Sequence, residues 1–165
     1  MTRPRNPSRK ILTQTALARA VRKVRSGGGR VVFTNGCFDL LHVGHIRYLN
    51  AARRLGDALA VGVNSDSSVR RIKGKGRPVT SERQRLEVLA ALECVDWVCL
   101  FGADTPLALI VKAEPDILVK GGDWPVEKIV GREAVERSGG RVLSIPLSRG
   151  VSTTGILRKI RRGRT

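Results

Sequence analysis

The sequence predicts an α/β fold: a single domain built on a Rossmann-like, doubly wound parallel sheet with helices on both faces. Two observations lead there. Short apolar runs bounded by glycine or polar residues alternate along the chain with longer helix-compatible stretches, which is the pattern of successive βα units. The strand-like runs are also apolar throughout rather than half polar, so both faces of each strand must be buried, as happens when helices cover a parallel sheet. A chain of 165 residues is the size of one domain, and neither an internal repeat nor a second core is visible.

The elements follow in order. Residues 13–24 are helix-compatible, with Leu17, Val21 and Val24 near one face, and the glycines after Ser26 end the helix. Residues 31–35 form a buried strand. A helix over 42–55 takes its apolar positions from Ile46, Leu49 and Leu55 and stops at Gly56. Strands are expected over 58–63, 95–100, 117–119 and 141–145, and helices over 82–92, 107–112, 129–137 and 152–160. Pro106 suits the first turn of its helix. Right-handed crossovers then give the doubly wound sheet, whose ligands bind beyond the C-terminal strand ends. That rule selects the loops after Asn35, Val63 and Val119, each polar or glycine-rich. Residues 1–10 are read as a disordered basic tail, 11–160 as the domain and 161–165 as a second basic tail.

Bulk properties narrow the classes. No apolar run approaches the ~20 residues that span a bilayer, and the basic N-terminus lacks the apolar stretch of a secretory signal, so a cytoplasmic protein is expected. Cys37, Cys94 and Cys99 form no Cys-x-x-Cys pair; neither a disulfide framework nor a structural zinc site is expected. The formal charge of +17 admits nucleic acid, an anionic membrane surface or small phosphorylated ligands as partners, of which no membrane partner is expected. Residues 1–38 contain no Asp or Glu and the C-terminus ends in a run of Arg and Lys, so much of the charge reads as solvated tails.

Three constellations carry chemistry. The first strand runs through Thr34-Asn35 into Gly36-Cys37-Phe38-Asp39 and a helix start bearing His42, Gly44 and His45. Strand, glycine turn and helix start aim free backbone N–H groups at a phosphate. Histidines three apart on a helix share a face, and this pair holds the only histidines of the chain; together they suit charge developing on a transferring phosphoryl group. Asp39 alone is a thin basis for a metal site. The second constellation is Lys73, Lys75 and Arg77, interleaved with glycines and followed by Arg83 and Arg85, either an exposed basic loop or a mobile flap closing over phosphates. The third is Ser152-Thr153-Thr154 at the start of the last helix, an N-cap and also a natural phosphate seat.

These residues resemble a known family. His42-Val43-Gly44-His45, after Gly36-Cys37-Phe38-Asp39, resembles the HxGH signature of the nucleotidyltransferase superfamily, and Ser152-Thr153-Thr154 its C-terminal phosphate-binding motif. Asn64-Ser65-Asp66, Gly76-Arg77-Pro78, Cys94-Val95-Asp96-Trp97 and Lys120-Gly121-Gly122-Asp123-Trp124 are similar to the heptose 1-phosphate adenylyltransferases, over about 11–160. The resemblance implies transfer of AMP from ATP to D-glycero-β-D-manno-heptose 1-phosphate, giving ADP-heptose and pyrophosphate for lipopolysaccharide core synthesis. No sugar-kinase segment accompanies the domain here, so a stand-alone form is expected.

By motif match, His42, His45 and Lys73 would be catalytic. Thr34, Asn35, Gly36, Cys37, Phe38, Asp39, Gly44, Arg85, Lys120, Gly121, Gly122, Asp123, Ser152, Thr153 and Thr154 would bind the nucleotide, and Asn64, Asp66, Lys75 and Arg77 the sugar phosphate. ATP is the expected co-substrate, with Mg²⁺ carried on it because no carboxylate cage is visible; no protein-held metal is expected. A homodimer is implied by resemblance alone. Two alternatives stand beside this reading: a CTP-dependent transferase acting on glycerol phosphate or a similar phospho-alcohol, and a basic nucleic-acid-binding module, against which stands the absence of clustered exposed aromatics.

Overall fold

The computed structural model describes residues 6–122, 124–146 and 150–163. Six parallel strands form one sheet: β1 (Ile11–Leu12), β2 (Val31–Gly36), β3 (Ala58–Asn64), β4 (Trp97–Phe101), β5 (Ile117–Gly121) and β6 (Arg141–Ile145). Their order is β1-β4-β3-β2-β5-β6, with every pair parallel. From β2 the chain steps outward through β3 to β4, then crosses to β5 on the other flank of β2. The reversal between β2 and β5 opens a crevice at their C-terminal ends, where ligands of such sheets bind.

Helices α1 (Gln14–Ser26), α5 (Leu107–Ala113) and α6 (Arg132–Arg137) cover one face, and α2 (Val43–Arg53) and α4 (Glu82–Ala91) the other. Alternation along β2 feeds both cores. Val31 and Phe33 pack with Leu17, Val21, Leu109 and Ile110 on the first face, whereas Val32 joins Leu49, Ala52, Leu89 and Ala90 on the second. Double burial is therefore what made the strands read as continuously apolar. A leucine such as Leu49, with no exposed surface, contributes about 1.5–3 kcal/mol through burial.

Local chemistry sets the helix starts. The Thr13 hydroxyl accepts from the Ala16 N–H, Ser81 and Gln84 form a reciprocal capping box, and Ser152 accepts from the Gly155 N–H at the start of α7 (Thr153–Arg161). The helix expected over 129–137 begins only at Arg132, after a 3₁₀ turn at Val126–Lys128. Gly131 interrupts it with φ 92°, and a Cβ there would lie 2.7 Å from Ile110 Cδ1.

Two elements exceed the sequence expectation. β1 is a two-residue edge strand pairing with β4, too short to carry a period. α3 (Asp66–Lys73) occupies what read as a polar loop; its only buried residues are Ser68 and Val69, so an apolar stripe was never there to be seen. The lead-in also differs from the disordered tail expected over 1–10. From Asn6 onward it is ordered: Pro7–Lys10 makes a 3₁₀ turn, and Lys10 Nζ donates to the carbonyls of Leu92 (2.9 Å) and Val95 (2.7 Å).

Candidate active site

A cleft of about 580 Å³ lies at the β2/β5 crevice. Its floor is the turn after β2. Tyr48, on α2, fixes that floor from beneath. Its hydroxyl donates to the Val119 carbonyl (3.2 Å), which leaves the Thr34 hydroxyl as donor in the 2.6 Å Thr34–Tyr48 bond. One chain of hydrogen bonds thus ties β2 to β5 at the crevice, and burial pushes the Tyr48 pKa up to about 12. Thr34, expected to meet the nucleotide, has no exposed surface; its side chain is structural.

Above the floor the chain turns sharply. Phe38 has φ 48°, a left-handed conformation that costs energy for a bulky residue and is held only by surrounding contacts. Its ring lies over Gly36, where a Cβ would sit 3.1 Å away, and its centroid is 5.4 Å from that of His45. His42 caps α2 in extended conformation, and the two imidazole centroids are 4.0 Å apart. The space over Gly44 is filled by His42 itself, whose ring would come within 3.0 Å of a Cβ. Gly44 therefore admits the histidine ring rather than a ligand.

Neither His Nδ1 has a hydrogen-bond partner, and both are buried. Leaving a lone pair unpaired is less costly than orphaning an N–H, which places the proton of a neutral His45 on Nε2, in the imidazole that lines the cleft. Burial, with the neighbouring His42 adding to it, pushes the His45 pKa down to about 4; burial also lowers that of His42. Both rings are therefore neutral at pH 7.

Cations surround this turn. Lys73, Arg77, Lys120 and Lys128 line the cleft together with Asn35, Cys37, Asn64, Gly121, Thr153 and Thr154. Burial lowers the Lys120 pKa, and Lys73 acts in the same direction against an opposing effect of Cys37. Burial raises the Cys37 thiol pKa more than the nearby Lys73, Arg85 and Arg77 lower it, and all three cysteines are free thiols. Thr153 Oγ1 donates to the Leu40 carbonyl (3.3 Å), so the N-terminus of α7 meets that of α2. Two positive helix ends converge where the cations do.

Several expected ligand contacts turn out to be supports. Asp39 has a side chain only 1 % exposed, and its carboxylate accepts from Arg77 Nε (2.5 Å) and from the N–H groups of Val79 (2.7 Å) and Thr80 (3.0 Å). Burial raises its pKa, but the bonds from Thr80, Arg77 and Val79 outweigh that and hold it below the usual carboxylate range. Arg85, expected to bind phosphate, is buried with its side chain 1 % exposed. Its guanidinium donates to the carbonyls of Cys37 (2.5 Å) and Thr80 (3.2 Å) and to Asp66 Oδ1 (2.7 Å). The reason is topological: α4 runs under the floor, so its inward side chains face the turn and not the ligand. Asp66 is bound in the same network, its N–H donating to Glu82.

Lys75 lies on the exposed loop between two glycines with positive φ, outside the cleft lining. Ser152 is the cap of α7, Gly122 donates its N–H to the Ile145 carbonyl, and Asp123 lies outside the described residues. The sequence reading assigned no ligand role to Ile72, Asp104, Thr105, Pro106, Trp124 or Val130, which line the cleft as well. The strand-end rule, applied to the loop after β4 as to the others, points to Asp104–Pro106; the rest depend on long-range packing.

The fold, the His45 turn and the paired helix ends define a class, and the sequence comparison agrees. The family model described as cytidylyltransferase-like matches residues 33–159, and the chain belongs to that family. It is 54 % identical over 156 residues to the bifunctional protein HldE of Trichlorobacter lovleyi, covering 94 % of this chain and 32 % of that one. To the bifunctional protein HldE of Geotalea uraniireducens it is 55 % identical over 154 residues, covering 93 % and 31 %. The chain thus spans about a third of the length of these curated relatives. Among solved structures, the lipopolysaccharide core biosynthesis protein from Thermoplasma volcanium is similar with a TM-score of 0.62 and 30 % identity, over 75 % of this chain and 100 % of that one. Among the described residues, no helix is long and apolar enough to cross a membrane.

Proposed function

We propose that this chain is a heptose 1-phosphate adenylyltransferase, joining AMP from ATP to D-glycero-β-D-manno-heptose 1-phosphate with release of pyrophosphate. The observation that carries the reading is the cleft itself. His45, two helix N-termini and four cations meet at the switch point of the sheet, a donor set matched to a triphosphate. The motif resemblance from Asn64 to Trp124, the HldE relatives and a neighbour named for lipopolysaccharide core biosynthesis support the choice of substrates.

In the proposed reaction, a phosphate oxygen of the sugar 1-phosphate attacks the α-phosphorus of ATP in line. The bond from that phosphorus to the β-bridging oxygen breaks, and pyrophosphate leaves with the electron pair. The protein then positions the reactants and stabilises charge, with little covalent work of its own. His45 Nε2–H donates to the α-phosphoryl oxygens, whose negative charge would draw the imidazole pKa upward from about 4. Lys73, Arg77 and Lys120 compensate the remaining phosphate charge, and Thr153 and Thr154 seat phosphate oxygens at α7. Asp39 is fully engaged by protein donors and does not fit the role of a metal ligand. Among the described residues no three His, Cys, Asp or Glu side chains group as a metal site. Mg²⁺ belongs to this reading as part of the nucleotide substrate, and no step is assigned to it.

A cytoplasmic homodimer completes the proposal. The competing reading, CTP with glycerol phosphate, is favoured by the cytidylyltransferase-like description of the family. Pyrophosphate release measured with ATP and CTP, each against heptose 1-phosphate, other sugar 1-phosphates and glycerol phosphate, separates them. The highest kcat/KM is expected for ATP with heptose 1-phosphate; a preference for CTP with glycerol phosphate overturns the proposal.

A further inference from the structure

The cleft is cationic except at one place. Among the described residues lining it only two are acidic, Asp39 and Asp104. Asp39 has both oxygens taken by Arg77, Val79 and Thr80. Asp104 does not. It stands between β4 and α5 with its side chain 63 % exposed; Oδ1 accepts from Arg71 Nε (2.6 Å), and Oδ2 accepts no hydrogen bond among the described residues. Thr105, also exposed and also lining the cleft, has a hydroxyl with no partner among the described residues.

A carboxylate repels phosphate, so a bound phosphate belongs with the lining cations, and what meets Asp104 must donate hydrogen bonds and carry no negative charge; of the groups on the proposed acceptor, the hydroxyls do both. Hydroxyl groups fit; an anion does not. The loop that presents the two residues is fixed in advance. Ser65 N–H donates to the Phe101 carbonyl (2.8 Å), Ser68 Oγ to that of Ala103 (3.0 Å) and Arg71 Nη2 to that of Gly102 (2.7 Å), while Asn64 Nδ2 holds Ser68 Oγ (3.0 Å). The last carbonyl of β4 and the first two of the loop are thus pinned by α3 and the residue before it, and α3 also carries Ile72 and Lys73 into the cleft. A prepositioned hydrogen-bonding wall loses little entropy on binding.

We propose that Asp104 Oδ2 and the Thr105 hydroxyl recognise sugar hydroxyls of the acceptor remote from its phosphate, making this rim the element that selects a polyhydroxylated sugar phosphate over a short phospho-alcohol. The inference rests on the nucleotidyl-transfer reading above. The arrangement gives Asp104 a divided role: Arg71 orients one oxygen, and the other meets substrate. Removal of the charge weakens acceptor binding and leaves the nucleotide end untouched.

The test is steady-state pyrophosphate release by the wild type, Asp104→Asn, Thr105→Val and Arg71→Gln, with ATP and heptose 1-phosphate and with monodeoxy analogues of the sugar. Loss of a charged hydrogen-bond partner is expected to raise the acceptor KM of Asp104→Asn by about 10- to 100-fold, with the KM for ATP unchanged. One monodeoxy analogue, poor for the wild type, is expected to bind Asp104→Asn no worse than the complete sugar does, the non-additivity of a lost direct contact. Arg71→Gln keeps the carboxylate and is expected to change the acceptor KM less than Asp104→Asn; an equal loss would make the ion pair merely structural and overturn the inference. Unchanged acceptor KM in both Asp104→Asn and Thr105→Val, or a parallel rise in the KM for ATP, overturns it too. A wild type that releases pyrophosphate with no sugar 1-phosphate overturns the proposed function and this inference together, whereas active variants with wild-type acceptor KM overturn this inference alone.

Discussion

The two ends of the cleft are built by different means. At the phosphate end, residues within ten positions of one another, from Gly36 to His45, supply the turn, both histidines and the helix start, and the ring of His42 closes over Gly44. At the Asp104 rim nothing is contiguous: α3 and the loop after β4 arrive from separate parts of the chain and are held together by side-chain bonds to the backbone carbonyls of Ala103 and Gly102. A site that must place charge against a reacting phosphorus gains from short-range construction, in which few torsions separate the donors. A site that must recognise one acceptor gains from loops whose residues vary without disturbing that turn. Arg85 is where the two meet, since one buried guanidinium holds Cys37 of the first and Asp66 of the second.

That division gives the variants an order. His45→Ala removes a donor from the phosphate end and should lower kcat by roughly 10²-fold or more while acceptor KM stays near the wild-type value; steady-state kinetics decide, and a change confined to KM would erase the distinction between the ends. Arg85→Met leaves a carboxylate and two carbonyls without their partner and is expected to cost about 3 kcal/mol of stability, read by denaturant unfolding. Because it joins both ends, it should also weaken kcat and acceptor KM together. A stable variant with wild-type kinetics would remove Arg85 from the account.

The smallest effect concerns pH. Burial lowers the folded-state pKa of His45 to about 4 from an ordinary 6.5, so between those values the unfolded chain binds the proton and the folded one does not. This histidine's contribution is therefore fully present above pH 6.5 and is lost as pH falls toward 4. The melting temperature of His45→Gln should therefore fall less than that of the wild type between pH 7 and pH 4.5, measured without nucleotide. Parallel profiles for the two proteins would contradict the burial of a neutral imidazole.

The same contrast explains how much could be read in advance. The sheet was legible because its strands are buried on two faces, and the His45 turn because its chemistry is contiguous. α3 was not, since Ser68 and Val69 are its only buried residues and its attachment depends on Arg85 and on the loop after β4. Arg85 and Asp39 were legible as charged residues near phosphate chemistry but not as buried ones, because a sequence gives no sign that a guanidinium will donate to a carbonyl 48 residues away or that a carboxylate will accept from a backbone N–H 40 residues away. Asp104 escaped notice for the opposite reason: its role depends on which neighbours leave one oxygen free.

In the proposed reaction the cleft joins the α-phosphorus of ATP to a sugar phosphate. Incubation of the protein with heptose 1-phosphate and ATP labelled at the α-phosphorus tests it most directly. Label is expected in a sugar nucleotide, in proportion to unlabelled pyrophosphate released, with loss of both in His45→Ala. Label remaining in ADP, with the γ-phosphoryl group moved to the acceptor or to water, would contradict it.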